Sequence, residues 1–279
     1  MQVPHSRRFN RNRLTWADSF DQPSLKIAVQ LIELATSRRI ALKLLRDYER
    51  LPSPNGSEFW STVLEVMEIE VRTPVSQLLN IPKDGPVILV ANHPTGPLDG
   101  IVFAKIVSQI REDYKILTRE LMTMMETSFG QYLIAVPFWH TADALEKGLR
   151  MRTQANQHLS SGGALAYFPS GSVATSDDWF GPPVEGKWNA FTAKLIRKSG
   201  ATVVPVRFFG GPSRMYQIGN KISPVLRQGL LLREIVKQRG HPQSPIVGKP
   251  IPPHEYLNKS ERPLEFVQWL RNHTLTLTA

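Results

Sequence analysis

Residues 86–100 read PVILVANHPTGPLDG, and this stretch decides the fold of the 279-residue chain. The apolar run 86–90 predicts a buried strand, because runs of this length bounded by Gly and Pro are typical of sheet cores. Residues 101–107 predict a helix, and Gly96-Pro97 suits its start because Pro is tolerated in the first turn. His93 is therefore predicted in a loop at the carboxyl end of a strand, where open α/β sheets bind ligands.

The pair His93 and Asp99 is the first candidate for chemistry. Asp99 is predicted in the first turn of the helix, so its carboxylate can turn back and hold the imidazole. A His oriented in this way removes a proton from a hydroxyl at neutral pH. Two simpler interpretations stay open on pattern alone. An Asp in a first helical turn is favoured by the helix dipole, and a loop His is commonly just a polar surface residue.

Strands and helices alternate beyond this stretch, which predicts an α/β fold with a mixed, mostly parallel sheet flanked by helices. Pro205 lies inside one predicted strand and indicates an edge position or a bulge. The further predicted strands are 114–118, 133–138, 164–168 and 202–208, with a short piece at 246–247. The predicted helices are 120–127, which is rich in Met, and 143–159, 188–199, 223–238 and 262–273.

The residues before the sheet predict a helical N-terminal segment. Residues 1–22 are basic and polar, which predicts a poorly ordered tail. Residues 24–48 show helical apolar spacing with interleaved Arg and Lys, so this helix is expected either to pack on the core or to lie on lipid. Shorter predicted pieces are a turn at 52–56, a helix at 57–67, an extended part at 69–71 and a short helix at 75–79. The expected division is 1–74 for this segment, 75–253 for a catalytic domain, and 254–279 for a helix packed on that domain.

Composition limits the kinds of function. The net charge is +10, which suits an anionic partner such as a membrane face, an acidic carrier protein or nucleic acid. The absence of Cys excludes disulfides, thiolate metal sites and a Cys nucleophile. No apolar run reaches 18 residues, and the basic N-terminus lacks the apolar core of a signal peptide. The expected location is therefore cytoplasmic, peripheral to a membrane.

A second motif, Phe168-Pro169-Ser170-Gly171-Ser172, follows another predicted strand. Its small residues would let backbone N–H groups approach a phosphate or a developing oxyanion. The alternative is an ordinary turn at the end of a strand.

Together these motifs resemble the glycerolipid acyltransferase superfamily. Asn92-His93 with Asp99-Gly100 resembles its first block, in which four residues usually separate His and Asp, whereas five do so here. Residues 168–172 resemble the third block, usually FPEGTR, with Ser170 for the Glu and Val173 for the Arg that contacts phosphate. The form NHPxGxxDG is similar to a bacterial branch labelled hemolysin-like acyltransferases, which also lacks that Arg. The resemblance covers about 75–253 and is weakest at 129–140, where Trp139-His140 replaces a basic residue.

The resemblance implies an acyltransferase that moves a fatty acyl group from acyl-CoA or acyl-carrier protein to the hydroxyl of a lysolipid in membrane lipid synthesis. His93 would be the general base and Asp99 its orienting carboxylate, without a bound cofactor or metal. The implied partners are the lysolipid, acyl-CoA or the acidic carrier protein, and the anionic inner face of the cell membrane, but no nucleic acid. The residues expected to bind substrate are Asn92, Thr95, Gly96, Arg119, Phe168, Pro169, Ser170, Gly171, Ser172 and Arg207.

Other functions stay open at this point. A serine hydrolase would use Ser170 or Ser172 with His254 as base, although the chain lacks the Gly-x-Ser-x-Gly elbow. A metal site would use His93, Asp99, His140 and Asp143, which have no recognised ligand spacing. A non-catalytic relic of the fold would bind membrane without turnover. From Lys194 to Arg239 there are ten Lys and Arg against one acid, which predicts a basic face for a donor or for lipid, but no nucleic-acid motif accompanies it.

Overall fold

A computed structural model describes residues 11, 14–51, 56–119, 130–137 and 143–278 of the chain. A six-stranded sheet lies at its centre, in the order β3-β2-β4-β1-β5-β6. All neighbouring pairs are parallel except β5 and β6, so the predicted mixed, mostly parallel α/β sheet is confirmed. The strands are β1 (Val87–Ala91), β2 (Tyr114–Arg119), β3 (Leu133–Val136), β4 (Ala164–Tyr167), β5 (Thr202–Arg207) and β6 (Ile246–Val247).

Helices cover both faces of the sheet, as the alternating sequence pattern predicts. The predicted Met-rich helix at 120–127 lies outside the described residues, as do Trp139 and His140. Within the described ranges, short 3-10 turns occupy Ala17–Ser19, Gly130–Tyr132 and Lys259–Glu261. The α-helices are α1 (Pro23–Thr36), α2 (Arg38–Glu49), α3 (Glu58–Val66), α4 (Val75–Leu78), α5 (Pro97–Ser108), α6 (Ala144–Ser160), α7 (Ala190–Ser199), α8 (Arg214–Ile222), α9 (Pro224–Lys237), α10 (Pro253–Tyr256) and α11 (Pro263–Leu275).

Strand β1 is buried on both faces, which explains its unbroken apolar sequence. Val87, Leu89 and Ala91 belong to a core cluster shared with α3 and α5. Ile88 and Val90 point to the opposite cluster, which includes side chains of α6, α7 and α11. Because β1 lies between β4 and β5, the loops that follow these three strands meet at one edge of the sheet.

The N-terminal segment is more ordered than the sequence predicts. The basic tail was expected to be disordered up to about residue 22, but Trp16 and Ala17 are buried in a third cluster with residues of α9. The anchor is the buried carboxylate of Glu33, which accepts a hydrogen bond from the Trp16 N–H at 2.7 Å. The Thr15 hydroxyl donates to the same carboxylate at 2.6 Å, and burial raises the pKa of Glu33. An internal acid in α1 therefore fixes the preceding residues, a role that helical periodicity does not reveal.

Three local predictions need correction. The single helix predicted over 24–48 is two helices, because the backbone of Ser37, with φ of −158° and ψ of −21°, is not helical between α1 and α2. Pro205 is neither at an edge nor at a bulge, because β6 forms the edge beside β5. The Pro205 carbonyl accepts from Gly248 N–H, so the Pro205 nitrogen faces the outer side of the strand, where the missing N–H interrupts no ladder with β1. Helix α8 was not predicted at all.

Candidate active site

Asn92 joins the end of β1 to the end of β5. Its side-chain amide donates to the Phe208 carbonyl at 2.9 Å, and its side-chain oxygen accepts from the Phe208 N–H at 2.8 Å. The amide is thus satisfied by backbone on both sides, which a buried Asn requires. Asn92 was expected to bind substrate, and these two bonds instead give it a structural role beside the site.

His93 and Asp99 meet at the carboxyl edge of the sheet. His93 Nδ1 lies 2.9 Å from Asp99 Oδ2, and the Asp99 side chain is almost fully buried. Because a carboxylate accepts hydrogen bonds, this contact places the imidazole proton on Nδ1 and leaves Nε2 with its lone pair. The His93 side chain retains 16% exposure, so the ring can be reached from outside.

The turn between His93 and α5 satisfies the buried carboxylate of Asp99. Backbone N–H groups of Thr95 and Gly96 donate to Asp99 Oδ2 at 2.9 and 3.1 Å, and the Thr95 hydroxyl donates to Oδ1. Four donors, counting His93, therefore compensate the burial of this charge. Gly96 has φ of 93°, a conformation that favours glycine, and so permits the turn. The extra residue between His and Asp lies in this turn and does not prevent the contact.

An aromatic group fixes the plane of the His93 ring. Phe168 stacks on the imidazole with a centroid distance of 4.0 Å and an interplanar angle of 17°. Phe103 supports Phe168 from α5 at 5.5 Å, and Phe208 contacts both rings. Phe168 was expected to bind substrate. It does lie in the site, where it packs against the His93 ring.

The backbone of His93 is held by the segment that follows β4. The His93 N–H donates to Glu185 Oε2 at 3.0 Å, and the His93 carbonyl accepts from Ala174 N–H at 2.9 Å. The buried Glu185 also accepts from Trp188 Nε1 at 3.0 Å. Arg271 of α11 donates to the Glu185 carbonyl. Sequence reasoning missed Glu185, because a contact across 92 residues leaves no local signal.

The loop 168–172 forms a tight turn beside this arrangement. Gly171 N–H donates to the Phe168 carbonyl at 3.0 Å, and the Ser170 hydroxyl donates to the Ser172 carbonyl at 3.0 Å. The Pro169 carbonyl accepts from Asn189 N–H at 3.2 Å. Arg119 Nη2 donates to the Gly171 carbonyl at 3.0 Å, and burial, with Arg227 nearby, lowers the pKa of Arg119. The fold therefore places Arg119 in contact with the loop 168–172.

Arg207 and Val173 lie in different surroundings. Val173 is buried with Tyr216 and Leu231 and provides no charged group to the loop. Arg207 ends β5, donates from Nη1 to the Leu277 carbonyl at 2.7 Å, and lies over the Phe209 ring at 4.7 Å. Arg207 therefore points along the outer side of the site, toward β6.

The serine hydrolase arrangement is contradicted by the sheet. Ser170 and Ser172 follow the carboxyl end of β4, whereas His254 lies in α10. Helix α10 lies near the amino ends of the strands, because the Tyr256 hydroxyl donates to the carbonyl of Ala201, the residue that precedes β5. The proposed nucleophiles and base are thus at opposite ends of the sheet.

The metal arrangement gains no support. His140 lies outside the described residues, and within the described ranges no three His, Asp or Glu side chains are grouped as a metal ion would require.

Comparisons with known proteins find acyltransferases of similar sequence. Residues 72–208, which contain both motifs, match the family model described as Acyltransferase. A lyso-glycine lipid O-acyltransferase of Bacteroides thetaiotaomicron is 25% identical over 224 residues, which cover 78% of each chain. One from Phocaeicola vulgatus is 23% identical, over 78% of this chain and 76% of the relative.

A solved structure is also similar. The 1-acyl-sn-glycerophosphate (LPA) acyltransferase PlsC from Thermotoga maritima aligns over 91% of this chain and 97% of that chain, with a TM-score of 0.42 and 14% identity. The family is identified by the family model and by the curated relatives. The chain belongs to the glycerolipid acyltransferase superfamily.

Proposed function

We propose that this acyltransferase transfers a fatty acyl group from a thioester donor to the hydroxyl of a lysolipid, with His93 as the general base. The observation that carries the proposal is the contact between His93 Nδ1 and the buried, fully hydrogen-bonded Asp99. This arrangement fixes the imidazole with Nε2 as the proton acceptor, which is what attack by a hydroxyl requires.

The reaction follows from this placement. Nε2 of His93 takes the proton of the acceptor hydroxyl as its oxygen attacks the thioester carbonyl. Asp99 stabilises the imidazolium that forms, and the Phe168 ring lies against its face. The tetrahedral intermediate then expels the thiolate, which receives the same proton from Nε2. The products are an ester and a thiol, and no covalent enzyme intermediate is needed.

We expect an acceptor without a phosphate monoester to be preferred. A phosphate monoester calls for fixed cationic donors, and the position where the family carries its phosphate-contacting Arg is the buried Val173. The relatives at 25% and 23% identity are named for a lyso-glycine lipid. With one acyl-CoA donor, a lyso-aminolipid with a free 3-hydroxyacyl group should give at least about tenfold higher kcat/KM than lysophosphatidic acid. A tenfold difference corresponds to about 1.4 kcal/mol.

The two acceptors should be matched in chain length and presented in the same mixed micelles, so that they differ only in the head group and in the position of the acceptor hydroxyl. A higher kcat/KM for lysophosphatidic acid would contradict the inference from Val173. Acylation of neither acceptor by the unaltered chain would contradict the lysolipid proposal itself.

The first helix supports a role at a membrane surface. Among the described residues, no helix is long and apolar enough to cross a bilayer. Helix α1 packs on α9 through Val29 and Ile32, yet it leaves Ile27, Leu31 and Leu34 from 50 to 60% exposed on its other face. Helix α1 can therefore pack on the core with one face and lie on lipid with the other. We propose that the exposed stripe contacts lipid.

Replacing Leu31 and Leu34 together by Ser should weaken binding to anionic vesicles by about tenfold or more, because burial of a Leu side chain contributes about 1.5 to 3 kcal/mol. Binding should also fall with added salt, because α1 carries Lys26 and α2 carries Arg38, Arg39, Lys43 and Arg46. Cosedimentation measures both effects, with Leu264→Ser as the control for an exposed leucine of α11. Equal binding of all variants would assign α1 a packing role alone.

A further inference from the structure

A groove of about 780 Å³ lies next to the candidate active site. Its walls are the residues that follow β5, the end of α9, and the segment 241–246 that leads into β6. Thr95 also lines the groove, so the groove begins at the turn that holds Asp99. The volume is within the range of about 300 to 1,000 Å³ that is typical of small-molecule sites. It therefore has room for part of a substrate beyond the reacting atoms.

The groove is lined by cationic and neutral polar side chains. Arg207, Lys237 and His241 contribute the basic groups, and the lining described in the structure contains no Asp or Glu. Arg207 is held in place by its bond to the Leu277 carbonyl and by the Phe209 ring. Because its guanidinium is fixed, little rotamer entropy remains to be lost when an anion binds.

The acid closest in sequence to these cations does not neutralise them. Glu234 is the one acid between Lys194 and Arg239 in the sequence, and it is almost fully buried. Its carboxylate accepts from the Ser213 N–H at 2.6 Å and from the Ser213 hydroxyl at 2.5 Å, at the start of α8. The Glu234 carboxylate is therefore engaged by Ser213 and does not pair with Lys237 or Arg207.

We propose that this groove binds the phosphate of the phosphopantetheine arm that acyl-CoA and acyl-carrier protein share. The inference rests on the proposed function and adds the place where the donor is held. Arg and Lys side chains at one site recognise phosphate or carboxylate, and the arm of the donor carries a phosphate. With its phosphate in the groove and its thioester end toward Thr95, the arm would reach the residues around His93.

Two features favour the donor over the acceptor. Lys237 and His241 are exposed, so the groove opens to water, from which a water-soluble donor arrives. The expected acceptor lacks a phosphate, as Val173 indicates, which leaves the donor as the substrate that carries one. The amide and hydroxyl groups of Gln238, Gln243 and Ser244 add neutral partners for a polar arm.

The test compares three donors with the same acyl chain: acyl-CoA, acyl-carrier protein and acyl-pantetheine, which lacks the phosphate. Lys237→Gln should raise the KM for both phosphate-bearing donors by about threefold, as expected for an exposed ion pair. Arg207→Gln should raise it by about tenfold, as expected for a charged hydrogen bond. The KM for acyl-pantetheine should stay within twofold of the unaltered chain. Lys198→Gln, which removes a charge from an exposed face of α7, should change none of these values.

Equal losses with all three donors, or a rise in the KM for the acceptor instead, would overturn the assignment. Calorimetric binding of 4′-phosphopantetheine against pantetheine, which differ only in the phosphate, tests the groove without turnover. Stronger binding of 4′-phosphopantetheine that Lys237→Gln weakens supports the groove even if the proposed lysolipid is not acylated. Equal binding of the two thiols would exclude the groove as a phosphate site while leaving the acyl transfer proposal intact.

Discussion

Replacing His93 by Ala should abolish acyl transfer while the chain stays folded. Nε2 of His93 is the proton acceptor in the proposed reaction, and loss of a general base typically costs about 10²- to 10⁴-fold in rate. The ring keeps some exposure at the edge of the sheet and stacks on Phe168 alone among the described aromatic residues, so its removal changes little of the core. The measurement is single-turnover acyl transfer from acyl-CoA, with circular dichroism and thermal melting to check the fold.

Two further variants sharpen this result. His93→Gln keeps more of the stacked volume and should be equally inactive, which separates loss of the base from loss of packing. His254→Ala, an exposed histidine in α10 near the opposite end of the sheet, should retain full activity. Turnover of His93→Ala within tenfold of the unaltered enzyme would contradict the assignment of His93 as the base.

Asp99→Asn should reduce the rate by about 10³- to 10⁴-fold, the loss seen when the orienting carboxylate of a triad becomes an amide. An amide offers one acceptor oxygen to the four donors that surround Asp99, and its NH₂ group faces a donor instead of an acceptor. The variant should therefore also lose about 1 to 3 kcal/mol of stability, because buried donors lose their acceptor. Single-turnover rates and denaturant unfolding measure the two effects separately.

Thr95→Val is the matched control for this prediction. It removes the hydroxyl bond to Asp99 Oδ1 but leaves the bond between Oδ2 and His93. A structural role alone predicts similar losses for the two variants, whereas an orienting role predicts a far larger rate loss for Asp99→Asn. Near-normal turnover of Asp99→Asn would reduce Asp99 to a residue that starts α5.

The fold could be predicted because its main signals are local. The apolar run of β1 is buried on both faces, and Gly96-Pro97 marks the start of α5, so both elements follow from sequence neighbours. The meeting of His93 with Asp99 is also local, since six positions separate them. Helix α8 escaped prediction because it has only nine residues and carries Gly219 in its interior, and because its start depends on Ser213, which bonds the distant Glu234.

The rest of the candidate site depends on contacts between remote segments. Glu185 fixes the His93 backbone, but its place is set by the path of the chain after β4. Arg207 was expected at a head group, and the walls of its groove come from β5, α9 and the approach to β6, which only the folded sheet brings together. Arg119 was expected to bind substrate. It donates instead to the Gly171 carbonyl, a bond that depends on β2 lying beside β4 in the sheet.

The support of His93 is complete only when Arg271, in the last helix of the described chain, has been synthesised. Its guanidinium donates to the carbonyls of Glu185 and Gly186, and Glu185 in turn holds the backbone of His93. Chains are made at about 5 to 20 residues per second, and earlier parts begin to fold first. A nascent chain therefore carries both sequence motifs, and even the strands that bear them, well before α11 exists to complete the support of His93. Full activity should appear only after α11 has left the ribosome, so that unfinished chains do not act on lipid.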